Sequence, residues 1–258
     1  MQWRNPDPRD LLADVVACLG FYTRIPVPRS VPLPTNFAAA QWAAPLVGAL
    51  VGLLGGIALL VAMWLGLPPN LAAIVALAVT LLATGALHED GAADVGDGFG
   101  GGSTRERKLE IMRDSRIGTY GVCVLGLSLL ARWAALAALA TLGGWTVLAC
   151  LVAAHAAARA LMPAFMRYVS PARADGLSAG VGRVDATAAT IALTLGALAL
   201  LPLGLAFALF TAALLFVWFV ALRALCQRQI GGQTGDVLGA LEQGGEIIIL
   251  FSACAFLL

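Results

Sequence analysis

Long runs without a charged side chain constrain this chain more than any other feature. Residues 37–87 and 186–222 contain no Asp, Glu, Lys or Arg, and residues 117–154 contain only Arg132. About 20 consecutive apolar residues cross the hydrocarbon core of a bilayer, so each run is long enough for one or two spans. Hydrophobic residues make up 60% of the chain and charged residues 12%, which excludes a soluble globular domain. The sequence predicts an all-α integral membrane protein.

Short breaks divide these runs into helical hairpins. Prolines and glycines at residues 67–70, 143–144 and 202–204 are typical of helix ends and turns. We therefore expect three hairpins and a last span from about Gly244 to Leu258, which gives about seven transmembrane helices in a single domain of residues 1–258. A short helix from Asp10 to Tyr22 is expected to lie at the membrane interface, within an N-terminal segment of residues 1–36.

Positive charge is distributed unevenly along the chain. All but one of the sixteen Lys and Arg residues fall in or beside four polar regions, at residues 1–36, 88–120, 159–183 and 223–246. These regions lie at the ends of the hairpins opposite the breaks. The positive-inside rule then predicts that all four face the cytoplasm. The net charge of +1 says little about partners, and no nucleic-acid partner is expected.

The densest charge lies in residues 88–120, which we expect to form an acidic catalytic loop region. Asp90, Asp94 and Asp97 follow the spacing i, i+4 and i+7, which places their carboxylates within one narrow arc of a helix. Like charges this close repel unless a cation lies between them, and a hard divalent ion with oxygen ligands is the ordinary choice. The alternative is a solvated acidic helix end. Because unneeded charge beside an apolar span is costly, we favour a metal site.

Arg113 and Arg116 flank Asp114 immediately before the third span. Their guanidinium groups suit a phosphate clamp, although the same pattern also fits membrane anchors with a local ion pair.

Cations also occur inside the predicted spans, where they are costly unless they face a partner or a wet cavity. Arg132 lies near the middle of the third span, and His155 and Arg159 lie one turn apart in the fourth. The sequence supports two interpretations equally. One is a cavity that binds an anionic substrate, and the other is a set of ion pairs with carboxylates of neighbouring helices.

A second acidic segment, rich in glycine, lies within residues 223–246 and is expected to be a loop before the last span. If it is helical, Glu242 and Glu246 fall one turn apart, with Asp236 on an adjoining side. The alternative is a loop and helix cap, with Thr234 or Asp236 capping the last helix.

Gly48, Gly52 and Gly56 form two overlapping G-x-x-x-G repeats. Such a seam lets another helix approach closely. We expect it to be a packing surface, and it allows a homodimer mediated by helices.

Three segments together resemble the adenosylcobinamide-GDP ribazoletransferase family, also called cobalamin-5′-phosphate synthase. They are FYTRIPVP at residues 21–28, HEDGAADVGDG at 88–98 with IMRDSRIGTYG at 111–121, and GGQTGDVLGA at 231–240. The resemblance runs over nearly the whole chain, and the order and spacing of the motifs make it specific. Ala92 stands where the family often has a bulkier apolar residue, but the carboxylates are kept.

The resemblance implies an enzyme of the bacterial inner membrane, with its site facing the cytoplasm. Family members join adenosylcobinamide-GDP to α-ribazole or its 5′-phosphate, release GMP and require Mg²⁺. It implies that Asp90, Asp94 and Asp97 hold Mg²⁺ on the substrate diphosphate, and that Asp97 or Asp114 accepts the hydroxyl proton. The expected substrate-binding residues are Arg24, Arg113, Arg116, Arg132, Arg159, Asp236 and Glu246. For Asp236 and Glu246 two roles stay open: they complete the metal shell, or they position α-ribazole.

Two other functions remain open on the sequence alone. The segment Asp90–Asp94 distantly resembles the D-G-x-x-A motif of CDP-alcohol phosphotransferases, which act on lipids, but Asp94 stands where that motif continues with A-R. A transporter would use Arg132, His155 and Arg159 as its pathway. The chain shows no convincing internal repeat, and its acids cluster at one end of the spans, so transport is the weaker of the two.

Overall fold

The computed structural model describes residues 8–28, 30–31 and 33–258, and no β-strand occurs within these ranges. The expectation for residues 1–36 therefore lies partly outside the described residues. The α-helices are α1 (Pro8–Tyr22), α2 (Phe37–Ala40), α3 (Ala44–Trp64), α4 (Pro69–Thr84), α5 (Leu87–Gly101), α6 (Arg105–Ile111), α7 (Thr119–Leu139), α8 (Gly144–Tyr168), α9 (Leu177–Val181), α10 (Ala186–Leu200), α11 (Leu205–Ile230) and α12 (Gly235–Leu257).

The predicted fold class, an all-α protein with about seven membrane spans, is confirmed. Six helical stretches of the described chain are long and apolar enough to cross a membrane, and α4 with α5 makes a seventh if the bent pair counts as one span. The predicted breaks are also correct. The chain leaves α3 before Pro68, α7 before Gly143 and α10 before Gly204.

A sharp bend separates α4 from α5. Gly85 and Ala86 both adopt left-handed backbone conformations, with φ of 66° and 56°, and the two helix axes differ in direction by 88°. Ala86 is the one residue other than glycine with a positive φ in the described chain, and this conformation is costly for a residue with a Cβ. The bend turns the acidic helix α5 away from the direction of α4, so α5 does not continue α4 as a straight span.

The two polar regions expected to be loops are largely helical. Residues 87–101 and 105–111 form α5 and α6, and the segment before the last span is divided between the end of α11 and the start of α12. The last helix begins at Gly235, nine residues before the predicted Gly244, because the Thr234 hydroxyl caps it by accepting a hydrogen bond from the Val237 backbone N–H. Asp236, Glu242 and Glu246 therefore lie on one helix.

Helix α8 lies at the centre of the molecule, because 83% of its most apolar stretch is buried by the other helices. The glycine seam of α3 packs directly on it. A Cβ added at Gly48 would meet the backbone of His155, and one added at Gly52 would meet that of Leu151. The packing interpretation is confirmed, but the seam is used within the chain. The homodimer stays a prediction without that support.

We expect the change Gly52→Ala to destabilise the protein, because the new methyl group would lie 2.4 Å from the Leu151 carbonyl oxygen, a backbone atom. Overpacking of this kind costs about 1–3 kcal/mol. Gly126→Ala is the matched control, since no heavy atom lies within 4 Å of its added Cβ. Thermal unfolding in detergent should give a lower midpoint for Gly52→Ala only. Equal midpoints for the two variants would contradict the close α3–α8 contact.

Candidate active site

A pocket of about 250 Å³ opens where α1, α5, α8 and α12 come together. The pocket lining contains both polar and apolar side chains. The polar lining residues are His88, Asp90, Arg173, Ser178 and Asp236. The apolar lining residues include Phe21, Tyr22, Met162, Met166, Leu177 and Leu238. The pocket thus offers both charge and an apolar surface to one ligand.

Close contact between α5 and α12 brings their acidic ends together. A Cβ at Gly91 would lie 2.9 Å from the Cα of Asp236, and a Cβ at Gly239 would lie 2.9 Å from the His88 carbonyl oxygen. Only glycine permits such an approach of two helix backbones. Two motifs that are far apart in the sequence therefore form one site.

Asp90, Asp94 and Asp236 form an acidic cluster at this contact. Asp90 is exposed, whereas Asp94 and Asp236 are half-buried. Burial, followed by the negative charges of Asp236, Asp90 and Asp97, raises the pKa of Asp94 to about 7. The ligand atoms of these three carboxylates do not all lie within 4.8 Å of one another, but carboxylate oxygens are the donors that a hard divalent ion prefers, and a cation bound here would relieve the repulsion.

Arg173 supplies positive charge to the same cluster. Its Nη2 atom lies 3.7 Å from Oδ2 of Asp236, which also accepts a hydrogen bond of 3.0 Å from the Thr234 hydroxyl. The segment that carries Arg173 is fixed to the start of α12 by two backbone hydrogen bonds, from Ala172 N–H to the Gln233 carbonyl and from Gln233 N–H to the Ser170 carbonyl.

Asp97 has a different environment from Asp90 and Asp94. Its two carboxylate oxygens accept hydrogen bonds of 2.6 and 2.8 Å from the backbone N–H groups of Gly118 and Gly121. Asp97 therefore stabilises the start of α7, where unpaired N–H groups favour a negative charge. It also lines a surface hollow with Asp114 and Arg116, apart from the pocket.

Asp114 and Arg116 form an exposed ion pair. Both Nε and Nη2 of Arg116 donate to the Asp114 carboxylate, at distances down to 2.6 Å. The hydrogen bonds from Arg116 lower the pKa of Asp114 to about 2. A general base works best with a pKa near the operating pH, so Asp114 is poorly suited to accept a proton at neutral pH.

Arg113 and Arg24 lie outside the pocket lining. Nη2 of Arg113 donates to both carboxylate oxygens of Asp175, at 2.6 and 2.7 Å. This exposed pair joins the turn after α6 to the segment after α8. Arg24 is exposed and extends along Gly85, at the bend between α4 and α5.

Arg132 and Arg159 lie in a buried ion network between the helices. Nη1 of Arg132 contacts Oε1 of Glu89 at 2.9 Å and Oε2 of Glu246 at 3.1 Å. Nη1 of Arg159 contacts Oε1 of Glu242 at 2.5 Å and Oε1 of Glu246 at 3.1 Å. Both arginines therefore form ion pairs with carboxylates of neighbouring helices, which is the second of the two interpretations of the sequence. Their contact with substrate stays a prediction.

The same network contains His155, Glu242 and Glu246. In the described chain, this is the one group of three or more acid, histidine or cysteine residues whose possible metal-ligand atoms all lie within 4.8 Å of one another. Nη1 of Arg159 contacts all three of these side chains. The guanidinium group already supplies the cation at this place. We therefore do not assign a metal to it.

The predicted site residues thus separate into several places. Asp90 and Asp236 line the pocket, and Asp94 lies beside them. Asp97, Asp114 and Arg116 line the surface hollow. Arg132, Arg159 and Glu246 belong to the buried ion network. Sequence reasoning missed Arg173, Ser178 and Asp175, because nothing in the sequence distinguished the segment after α8 from an ordinary connection. Its polar run between two predicted spans was the only available signal.

Comparison with known proteins supplies the family. The sequence profile described as cobalamin-5-phosphate synthase matches residues 14–254. A protein of Bradyrhizobium diazoefficiens is 55% identical over 96% of this chain and 95% of its own length, and one of Mesorhizobium japonicum is 52% identical over 95% and 94%. Both are named adenosylcobinamide-GDP ribazoletransferase. No solved structure matches the chain.

We expect Arg132→Gln to lower stability strongly, since it leaves the buried carboxylates of Glu89 and Glu246 without this cation. Breaking a buried pair costs about 3–5 kcal/mol. Arg107→Gln is the control, because its pair with Glu110 is exposed and such pairs contribute about 0–1 kcal/mol. Thermal unfolding of both variants in detergent measures the difference, and similar midpoints would show that the network contributes little.

Proposed function

The chain belongs to the cobalamin-5-phosphate synthase family and catalyses the adenosylcobinamide-GDP ribazoletransferase reaction of cobalamin nucleotide-loop assembly, and we propose that this reaction takes place in the pocket between α5, α8 and α12. The observation that carries the proposal is the contact of α5 with α12, which joins the acids of two distant motifs beside an apolar wall.

The chemistry sets what the pocket must do. A ribose hydroxyl of α-ribazole or its 5′-phosphate attacks the phosphorus that carries cobinamide. A new P–O bond forms, the bond from that phosphorus to the bridging diphosphate oxygen breaks, and GMP leaves with that oxygen. The hydroxyl proton passes to a base. The site must therefore neutralise the diphosphate, align the hydroxyl and accept one proton.

We propose that Asp90, Asp94 and Asp236 hold Mg²⁺. Their oxygen atoms are the donors that Mg²⁺ prefers. Burial raises the pKa of Asp94 most, and the neighbouring carboxylates raise it further, and a cation would remove this second contribution. When bound, the ion supplies charge that stabilises phosphate oxygens during phosphoryl transfer. In this proposal Asp236 replaces Asp97 as the third metal ligand, because both oxygens of Asp97 already accept backbone hydrogen bonds.

Arg173 and the apolar wall position the two substrates. The Arg173 guanidinium lines the pocket beside Asp236, where it can donate to phosphate oxygens. Phe21 and Tyr22 offer aromatic surface for the flat base of α-ribazole. The hydroxyl proton passes to a carboxylate of the acidic cluster rather than to Asp114, whose pKa is about 2.

Arg113, Arg116 and Arg24 lie outside the pocket lining, and we propose that they bind a substrate phosphate other than the reacting diphosphate. The ion pairs of Arg113 and Arg116 are exposed, and exposed pairs are weak enough to exchange for a substrate anion. We also propose that the protein lies in the bacterial inner membrane and that the pocket opens to the cytoplasm. The polar regions of the chain, which form the pocket, carry the excess of Lys and Arg that is typical of the cytoplasmic side.

We expect Asp90→Asn, Asp94→Asn and Asp236→Asn each to reduce GMP release from adenosylcobinamide-GDP and α-ribazole 5′-phosphate by at least about 100-fold, the scale of losing one electrostatic contact to a transition state. Glu106→Gln removes an exposed acid of α6 and serves as the control. Near-normal turnover in all three aspartate variants would reject the pocket as the active site.

Removing divalent ions with a chelator should abolish GMP release by the wild type, and added Mg²⁺ should restore it. We expect Asp94→Asn to need a higher Mg²⁺ concentration for half-maximal rate, because one oxygen ligand is lost. A rate independent of Mg²⁺, or an unchanged half-maximal concentration in a variant of reduced activity, would contradict the metal assignment.

A further inference from the structure

An apolar groove runs along the membrane-spanning part of the molecule. Its lining contains no charged side chain, unlike that of the pocket. It lies between α10 and α11, with α8 as its floor, and has a volume of about 260 Å³. Small side chains form it, including Ala160 and Ala164 on α8, Ala197 on α10 and Ala212 on α11. Every lining side chain is apolar except at one end, where the Tyr168 hydroxyl group is found.

Two arginines lie at the Tyr168 end of the groove, and a third lies one helical turn beyond the groove lining of α11. The Arg167 guanidinium lies 5.8 Å from the centre of the Tyr168 ring, and Nε of Arg183 donates a hydrogen bond of 3.3 Å to the Arg167 carbonyl. Arg223 follows Phe219, which lines the groove, by four residues on α11, and therefore lies one turn further on the same helix face.

These three arginines carry uncompensated charge. Within the described ranges, no carboxylate lies within 4.0 Å of the Arg167, Arg183 or Arg223 guanidinium. Asp185, the acid nearest to Arg183 along the chain, accepts a hydrogen bond from Ala188 N–H at the start of α10 instead. A groove suited to hydrocarbon thus ends at a positive site.

We propose that this groove binds one anionic phospholipid, with an acyl chain along the alanines and its phosphate at Arg167, Arg183 and Arg223. The surface faces the bilayer, so hydrocarbon chains are its natural neighbours, and basic sites between membrane helices bind anionic headgroups. The three cations select the charge of the headgroup, and the groove between α10 and α11 holds the chain. The site is independent of the transferase pocket.

The test is native mass spectrometry of the full-length protein in detergent, titrated with dioleoyl-phosphatidylglycerol or dioleoyl-phosphatidylcholine. The two lipids share acyl chains and differ in net charge. We expect one phosphatidylglycerol to bind per chain, more tightly than phosphatidylcholine. Arg167→Gln and Arg223→Gln should each weaken phosphatidylglycerol binding by about fivefold, the factor for one basic residue near an anionic headgroup, and leave phosphatidylcholine binding unchanged.

Matched variants separate the groove from the rest of the lipid-facing surface. Ala212 and Ala213 are adjacent and exposed on α11, but only Ala212 lines the groove. Ala212→Phe should therefore reduce binding of both lipids, and Ala213→Phe should not. Arg228→Gln removes a charge from another face of α11 and should bind like the wild type. Melting temperatures of all variants verify that they are folded.

Three results would overturn the proposal. The first is equal affinity of the wild type for the two lipids, and the second is unchanged phosphatidylglycerol binding in both arginine variants. The third is a dimer mass that Ala212→Phe abolishes, since this would show that a second copy of the chain, and not a lipid, occupies the groove.

Discussion

Two buried arginines among three glutamates are the interaction on which the arrangement of this protein depends. Arg132 comes from α7 and Arg159 from α8, Glu89 from α5, and Glu242 and Glu246 from α12. Removing charges from water costs several kcal/mol per ion, and the cost is recovered only when every partner is present and well placed. Because no one helix supplies both signs, the four helices are stable only together. The side chain of Gln243 adds to this constraint by donating to both Glu89 and Glu242.

This network explains how a membrane protein presents acids at a defined position. Glu89 and Asp90 are neighbours on α5, so holding Glu89 in the network also fixes Asp90 at the pocket. Glu242 and Glu246 similarly fix the register of α12, whose first turn carries Asp236. His88 connects the two regions, since it lines the pocket and its Nδ1 lies 3.3 Å from Nη2 of Arg159. The buried charges thus orient Asp90 and Asp236 at the pocket.

Most of the fold was predictable from the sequence, whereas the packing of the candidate site residues was predictable only in part, and the reasons differ. Uncharged runs and Pro-Gly breaks are local signals, so the hairpins were predictable to within a few residues. The start of α12 was missed because glycines and acids suggest a loop, whereas a Thr234 cap and contact with α5 stabilise a helix there. The spacing of Asp90, Asp94 and Asp97 correctly predicted one helix, but spacing cannot show that Asp97 faces the N–H groups of α7 and that Asp236 approaches from another helix. Pairing across helices is a property of the packed structure.

The assignment of the pocket depends on the proposed binding of the diphosphate at the contact of α5 with α12. It is tested most directly by an experimental structure of the protein with adenosylcobinamide-GDP and a divalent ion, in the absence of α-ribazole. We predict that the diphosphate lies beside Asp90, Asp94, Asp236 and Arg173, with the ion between phosphate and carboxylate oxygens. A diphosphate in the surface hollow beside Asp97, Asp114 and Arg116 would contradict this account.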